Sequence, residues 1–475
     1  MQKGNSNPFI SRNYIHPLIL IVLFFVGSKS FGQNVIWVNQ TTGPFYILSD
    51  TTINTNDSLM IGEGGLVYIG DGIDVDVFGT LEVIGSANNP AKIHPLHAGI
   101  GWKQIIIHDS VDSLNIKNAE IIDGRIYATD CIISYENAKF INQQDLEWNG
   151  ALSRFFGGQL TAKNCTFKGI NQGEGLLCHG ISNPIITNCQ FDSIPDAVEF
   201  LNCNFGRIGN CTFQNCYDDA IDLNHCQQTM IDSNYFYNIF NRGMEIGSEN
   251  NGSSTDILVY RNILVNCAEA VTFKEGSTGI ITNNTFFNND IAVSALVSGD
   301  PAIGSSIEII NCIFQSNTQD LFADATSDIV VTYSSSNNEQ ILGIGNVLAP
   351  AKFISPSDSN FNLNLASACI NSGSPFSPFD LDGSRADMGA LFQPLQGALK
   401  PIRLWPNPAT SYVKIHLIDP FEELQIIDHL GRVRANINIF ETKYIQYSTS
   451  HLAPGIYFAR FSREENIRLV KFVVE

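Results

Sequence analysis

Seven times between Asn164 and Phe314 the chain returns to an asparagine followed three positions later by a large apolar residue, at intervals of 21 to 28 residues. The instances are Asn164-Cys165-Thr166-Phe167, Asn188-Cys189-Gln190-Phe191, Asn210-Cys211-Thr212-Phe213, Asn234 to Tyr237, Asn262 to Val265, Asn283 to Phe286 and Asn311-Cys312-Ile313-Phe314. A period of this length belongs to solenoids, propellers and arrays, where one short unit stacks on the next because it cannot bury its apolar face alone. Within each unit, short apolar alternations are broken by Gly, Asn or Asp, a pattern of two or three short strands and not of helix.

A second string recurs after the asparagines: Ala197-Val198-Glu199-Phe200, Ala220-Ile221-Asp222-Leu223, Gly243-Met244-Glu245-Ile246, Ala270-Val271-Thr272-Phe273 and Ala292-Val293-Ser294-Ala295. The two-residue period of a strand sends the flanking apolar residues inward and the polar one outward. A third strand precedes the asparagine, as in Pro184 to Thr187, Thr229 to Asp232 and Gly279 to Thr282. Three strands per turn imply an all-β chain built as a right-handed, single-stranded parallel β-helix of roughly a dozen coils. Val198, Ile221 and Met244 should then pile in one internal column. These repeats resemble the right-handed β-helix superfamily of pectate lyases, polygalacturonases, alginate lyases and related secreted proteins (pectin lyase fold, PbH1 repeats). The turn asparagines resemble that superfamily's asparagine ladder.

Alternation over Leu59, Ile61, Leu66, Ile69, Val75, Val77, Leu81 and Val83 marks the entrance to the solenoid, and the repeats run to about Val347. Before it, Lys3, Arg12 and His16 precede an apolar run from Leu18 to Val26, with Ser30-Phe31-Gly32 as a small-residue cleavage site. This run is too short to span a bilayer and fits a signal peptide over residues 1–32. No transmembrane span is expected in the mature chain. With 27 basic and 47 acidic residues the formal charge is −20. Such a surface repels phosphate backbones and anionic membranes, so no nucleic-acid partner is expected.

Eleven cysteines in an exported chain invite a disulfide framework, but Cys165, Cys189, Cys211 and Cys312 occupy the same inward slot on different coils. A small, soft thiol stacks well there, which favours buried thiols over bridges. The odd count leaves at least one unpaired within a single chain.

The end of the solenoid carries Ser367 to Pro375 and then Asp380-Leu381-Asp382-Gly383-Ser384-Arg385 and Asp387-Met388-Gly389-Ala390. A terminal cap near 367–392 accounts for this stretch, with Asp side chains making Asx turns and Arg385 pairing with a carboxylate. A calcium loop opening on Asp-x-Asp-Gly is the competing reading. The β-helix domain therefore covers 33–393, and 394–401 is a linker. Residues 402–475 then read as alternating strands of a small β-sandwich. Pro406-Asn407-Pro408, Asp428 to Gly431-Arg432, Gly455-Ile456-Tyr457 and the last strand Leu469 to Val474 resemble, in order, the type A C-terminal sorting domain of type IX secretion substrates. The resemblance implies passage through the periplasm, handling by the type IX machinery through 402–475, and a final place outside the cell or on its outer surface.

Glu199, Asp222 and Glu245 take one outward position on three successive coils, followed by Thr272 and Ser294. Carboxylates stacked about 5 Å apart repel by roughly 3 kcal/mol at an effective dielectric of 20, so a sheltered stack needs relief. A parallel row three residues earlier runs Asp196, Asp219, Arg242 and Glu269, and one two residues later runs His179, Leu201, Asn224, Gly247 and Lys274.

Three readings of this face stand open. Hard oxygen ligands from Asp222 and Glu245 suit Ca²⁺, and the face would then grip a polysaccharide without cutting it. Two of Glu199, Asp222, Glu245 and Asp219 at coil spacing suit a glycoside hydrolase pair, with His179, Asn224, Arg242 and Lys274 contacting substrate. The third is a solvated face on a structural or adhesive surface protein with no catalytic site. Lys274-Glu275-Gly276-Ser277 resembles the alginate-lyase strand that carries the basic lysine, but the next coil lacks the Arg-His-Gly acid. The Gly-His-Gly and Arg-Ile-Lys signatures of the pectinolytic hydrolases are absent as well, with Cys178-His179-Gly180 and Asp218-Asp219 as partial matches. Trp102, Trp148, Tyr217 and Tyr235 are candidate sugar-stacking rings, and Asn142 to Phe156 and Ser248 to Ser254 candidate walls. The expected role is carbohydrate binding, with glycan identity and enzyme status open.

Overall fold

A computed structural model of the chain describes residues 34–142, 150–170, 173–248, 252–297, 303–394, 402–417, 421–439, 444–463 and 466–475. The expected signal peptide, Trp148, nearly all of the expected linker and the centres of the two expected walls lie outside them. Two compact units emerge, one of residues up to Ile309 with Phe314–Val330, the other of Ile310–Ile313 with Val331–Glu475.

The first unit is a parallel β-helix. Among the described residues, thirteen strands, beginning with Val35–Val38, Ser58–Ile61 and Thr80–Ile84, line one wall, each pairing in parallel with its equivalent on the next coil. The remaining strands of each coil form the second large sheet. Among the described residues the first coil strand is Val35–Val38, one turn ahead of the entrance read from the sequence, because the short Val-Ile-Trp-Val run carries too little periodicity to be distinguished alone.

Registration between coils is residue on residue. Val198 pairs with Ile221, Ile221 with Met244 and Met244 with Val271, and all four are fully buried. A second internal column stacks aromatic faces: Phe140, Phe167, Phe191, Phe213 and Phe236 follow one another at centroid separations of 4.9 to 5.0 Å with planes within 8°. Offset ring stacking adds attraction beyond burial, and identical neighbours at the strand spacing permit it on coil after coil.

The asparagine repeat needs a correction of register. Asn164, Asn188, Asn210, Asn283 and Asn311 adopt left-handed conformations with φ of 54° to 56°, as a short polar side chain allows. Asn234 and Asn262 do not: Ser233 and Arg261 take the left-handed corner, so the inward ring and aliphatic residues are Phe236 and Leu264, not Tyr237 and Val265. A one-residue slip exchanges inside for outside. Asn234, Asn262 and Asn284 instead continue the cysteine column. The amide of Cys165 donates to Cys189 Sγ and that of Cys189 to Cys211 Sγ, both at 3.4 Å. The next steps run from Cys211 N to Asn234 Oδ1 at 2.8 Å, Asn234 N to Asn262 Oδ1 at 2.9 Å and Asn262 N to Asn284 Oδ1 at 2.7 Å. One ladder thus passes from thiols to amides, each closing a backbone N–H that the corner would leave unpaired.

All eleven cysteines are buried thiols. Burial pushes Cys131 and Cys203 up to about 11 and Cys267 to about 12, so these three do not carry the thiolate that oxidation requires.

In the second unit, Phe353–Ser355 and Asn360–Leu363 form an antiparallel pair beside a core of Ile313, Ala351, Leu363, Cys369 and Met388. Asp380 Oδ2 accepts the amide of Asp387, Asp382 Oδ1 accepts the amide and hydroxyl of Ser384, and Asp387 accepts the amides of Asn371 and Gln393. Backbone amides and the Ser384 hydroxyl thus donate to these three carboxylates. Arg385 donates to the carbonyl of Gly373 and lies over the Tyr333 ring, where the sequence suggested a carboxylate partner.

Beyond it, a three-stranded antiparallel sheet (Arg403–Trp405, Tyr412–His416, Tyr444–Ser448) and a four-stranded one (Glu423–Asp428, Val433–Asn438, Gly455–Arg463, Asn466–Val474) enclose Val413, Ile415, Leu424, Ile426, Ala459, Phe461 and Phe472. Asp428 ties the turn to Arg432, accepting from the amides of Leu430 and Arg432 and from the guanidinium groups of Arg432 and Arg434. These donors outweigh burial and hold its carboxyl well below the usual carboxylate range.

Candidate functional site

The outward column runs Arg154, Leu177, Glu199, Asp222, Glu245, Thr272, Ser294 along successive coils. Beside it, Ala151, Glu174 and Asp196 are successive partners, then Asp219, then Arg242 and Glu269. The two rows place seven carboxylates (Glu174, Asp196, Glu199, Asp219, Asp222, Glu245, Glu269), with Asp218 beside them, around the cations Arg154, Arg242 and Lys274.

This face is sheltered, unlike the ordinary solvated surface of the third sequence reading. Glu245 is 7 % exposed, Asp219 6 %, and Thr272 and Ser294 not at all. Long side chains of one row lie over short ones of the other. Thr272 and Ser294 donate to Glu269 Oε2 at 2.7 and 3.0 Å.

Charge is distributed unevenly. Arg242 pairs closely with Glu245 and lies 3.6 Å from Asp219 Oδ2 and 3.8 Å from Glu269; Lys274 Nζ donates to Glu245 Oε2 at 2.8 Å. Burial would lower the Arg242 guanidinium, but Glu245, Asp219 and Glu269 raise it further. Glu245 is therefore filled by two cations. Coulomb attraction to these fixed side chains supplies what a metal would, which makes Asp222 with Glu245 a poor calcium pair and takes Lys274 out of the role of a free base.

Most of the other acids have less relief than Glu245. Burial pushes Asp196 up to about 7, helped by Asp218 and Glu199, and pushes Glu174 to about 7, helped by Glu199 and Asp196. Burial raises Glu199 against the pull of Arg154. Asp222 and Asp219 lie well above their ordinary value, through burial first and then Glu245. Asp222 Oδ2 accepts from Asn224 at 2.7 Å while its Oδ1 has no hydrogen-bond partner.

Oxygens of Asp196, Asp218 and Asp219 come within 4.8 Å of one another. Asp196 Oδ1 accepts the Asp219 amide at 3.1 Å, and the exposed Asp218 accepts from Asn241 at 2.6 Å. Burial and the neighbouring carboxylates favour the protonated forms of Asp196 and Asp219 within this group.

Among the substrate-contact candidates, Asn224 and Lys274 are committed to Asp222 and Glu245, and Arg242 to the acids around it. His179 stands at the edge, beside Phe156 at a centroid distance of 5.3 Å and Asn202 at 3.3 Å. Trp102 is core, donating its indole N–H to the Ile122 carbonyl at 2.9 Å. Ala151–Phe156, expected in a wall, is a strand, and Ser254 is part of an interior ladder, donating to Leu223 O at 2.8 Å. Glu174 and Arg154 escaped the sequence reading, since Gly175-Leu176-Leu177-Cys178 lacks the polar third residue that marks the later coils, and only stacking them revealed the continuation.

Two stretches, 104–256 and 155–303, match the family described as right handed beta helix region, and 403–475 match the secretion system C-terminal sorting domain. Among curated proteins, 285 residues are 24 % identical to "Metabotropic glutamate receptor-like protein P" of Dictyostelium discoideum, over 58 % of this chain and 18 % of that protein, so the chain spans under a fifth of that relative. Among solved structures, the catalytic domain of a GH87 alpha-1,3-glucanase in complex with nigerose is 10 % identical with a TM-score of 0.37, covering 62 % of this chain and 63 % of that one. Pectate lyase Pel9A is 12 % identical with a TM-score of 0.34, covering 74 % and 98 %.

Proposed function

Starting from a right-handed parallel β-helix that a type IX sorting domain directs to the cell surface or beyond, we propose that the protein binds a polysaccharide along its acidic face and hydrolyses it at Asp196, Asp218 and Asp219. One observation carries the reading: three mutually close carboxylates, two of them with strongly raised proton affinity, on adjacent coils. Glycoside hydrolysis needs a carboxyl to protonate the departing glycosidic oxygen and a carboxylate to act on the anomeric carbon, directly or through water. Asp196 and Asp219, whose proton affinity is raised, are suited to the carboxyl role, and the exposed Asp218 beside them to the carboxylate role. Glu199 and Asp222 extend the acceptor surface for sugar hydroxyls, and Glu245 keeps Arg242 and Lys274 in place.

The test is incubation of the purified chain with a panel of polysaccharides, with new reducing ends as the readout, beside Asp218→Asn. Release of ends that the variant loses by about 10²-fold or more supports the reading. No release from any glycan refutes it. A cation held by the same trio is the competing reading, since carboxylates at this separation also suit Ca²⁺. It requires a Ca²⁺-dependent rise in melting temperature that Asp218→Asn abolishes, without turnover.

A further inference from the structure

Two neighbouring coils are one residue longer at the corner before the acidic rows. Register fixes Asp192, Gln214 and Tyr237 as successive partners, so Ile194, Cys216 and Ile239 occupy one buried level. From that level to the acidic row is two residues in Ile194 to Asp196 and in Cys267 to Glu269. It is three in Cys216 to Asp219 and in Ile239 to Arg242, where the pairing with the following coil shifts register. The extra residues make paired bulges, devices that re-aim side chains beside functional sites.

Each bulge projects an aromatic ring and then a polar group. Tyr217 and Phe240 are 54 % and 56 % exposed, with ring centroids 4.7 Å apart and planes tilted by 40°. Asp218 and Asn241 follow, joined at 2.6 Å. Large rings left in water on consecutive coils, at the one place where both coils lengthen, are not explained by packing, because the coils on either side keep the corner short and the core intact without them.

We propose that Tyr217 and Phe240 form a sugar-ring platform that seats one residue of an uncharged polysaccharide next to Asp218, and that the protein discriminates against uronic-acid polymers. The proposal rests on the hydrolytic reading above and names its substrate class. Aromatic faces stack on the apolar C–H face of a pyranose, while Asp218 and Asn241 supply the acceptor and donor that equatorial hydroxyls need. An anionic sugar would add like charge to an acid-rich, sheltered face. A cation near each carboxylate would be needed to admit it; Arg242 and Lys274 are already held by Glu245, Asp219 and Glu269, and Arg154 stands three coils before Asp222, over the Phe156 ring.

The experiment is affinity gel electrophoresis of the full chain through neutral glucans and xylan on one side and alginate and polygalacturonate on the other, with Tyr217→Ala, Phe240→Ala, the double variant and Tyr217→Phe. The expected result is retardation by at least one neutral glycan and none by the uronans. Each alanine variant should lose about tenfold in affinity, with the phenylalanine variant close to the parent. Circular dichroism keeps folding separate from binding. Retardation by a uronan, or unchanged affinity in the folded double variant, overturns the platform. Reducing-end release on the same glycan separates the two ideas: turnover with an unaltered KM in the double variant sinks the platform and leaves hydrolysis standing, whereas platform-dependent retardation without turnover sinks hydrolysis alone. A parent chain retarded by no glycan overturns both.

Discussion

Arg242 holds Asp219 from two directions: its backbone N–H donates to Oδ1 at 3.0 Å, and its guanidinium stands 3.6 Å from Oδ2. A cation this close lowers a carboxylate's proton affinity, so here it restrains a group that burial and Glu245 push the other way.

Replacing Arg242 by Gln should release that restraint. The alkaline limb of the pH profile for glycan turnover is expected to move upward by about one unit, since loss of an opposite charge raises a carboxylate's pKa. An unmoved limb in a folded variant would show that Asp219 does not set it.

Stability should carry the same signature with a definite sign. Asp196 and Glu174 bind protons more tightly folded, near 7, than unfolded, near 4. Their contribution is complete below about pH 4 and lost as pH rises through 7. The difference in melting temperature, Asp196→Asn minus parent, should therefore grow between pH 4.5 and 7.5. A difference that is flat or shrinks contradicts the assignment.

Glu245→Gln removes the carboxylate between two cations. Leaving Lys274 and Arg242 without it is expected to destabilise the β-helix by about 3 kcal/mol in chemical denaturation. Thr272→Val, one coil further on, serves as the comparison and should lose about 1 kcal/mol through its hydrogen bond to Glu269.

The amide ladder makes a graded prediction. Asn262 donates to Ile231 O and Asn284 Oδ1 and accepts from the Asn234 amide. Asn262→Ala should cost about 3 kcal/mol by stranding these groups. Asn262→Cys should cost roughly half, because cysteines do the same work at 165, 189 and 211. Equal losses would disprove the equivalence of the two ladder types.

Much of the β-helix was legible because its signal is redundant. Val198, Ile221 and Met244 repeat one pattern at one spacing, and parallel stacking converts that spacing into contact. What failed did so where the pattern is degenerate. Ser233 and Arg261 carry corners that asparagine carries on other coils, and Asn234 and Asn262 beside them belong inside, a distinction that depends on backbone φ and not on residue type. The acidic rows were readable by arithmetic, but their shelter was not. Whether Glu245 faces water depends on where Arg242 and Lys274 swing, and side-chain direction across three coils is absent from any linear spacing. Tyr217 and Phe240 were visible only as aromatics; the extra residue that turns them outward emerges once the coils are aligned by hydrogen bonding.

The thiol column of Cys165, Cys189 and Cys211 bears on export. A chain bound for the outside of the cell meets oxidants before it reaches its destination, and cysteines aligned coil above coil are suitably placed for wrong partners whenever the spiral is open. In the wound spiral each of these sulfurs is shut away from solvent and so from those oxidants.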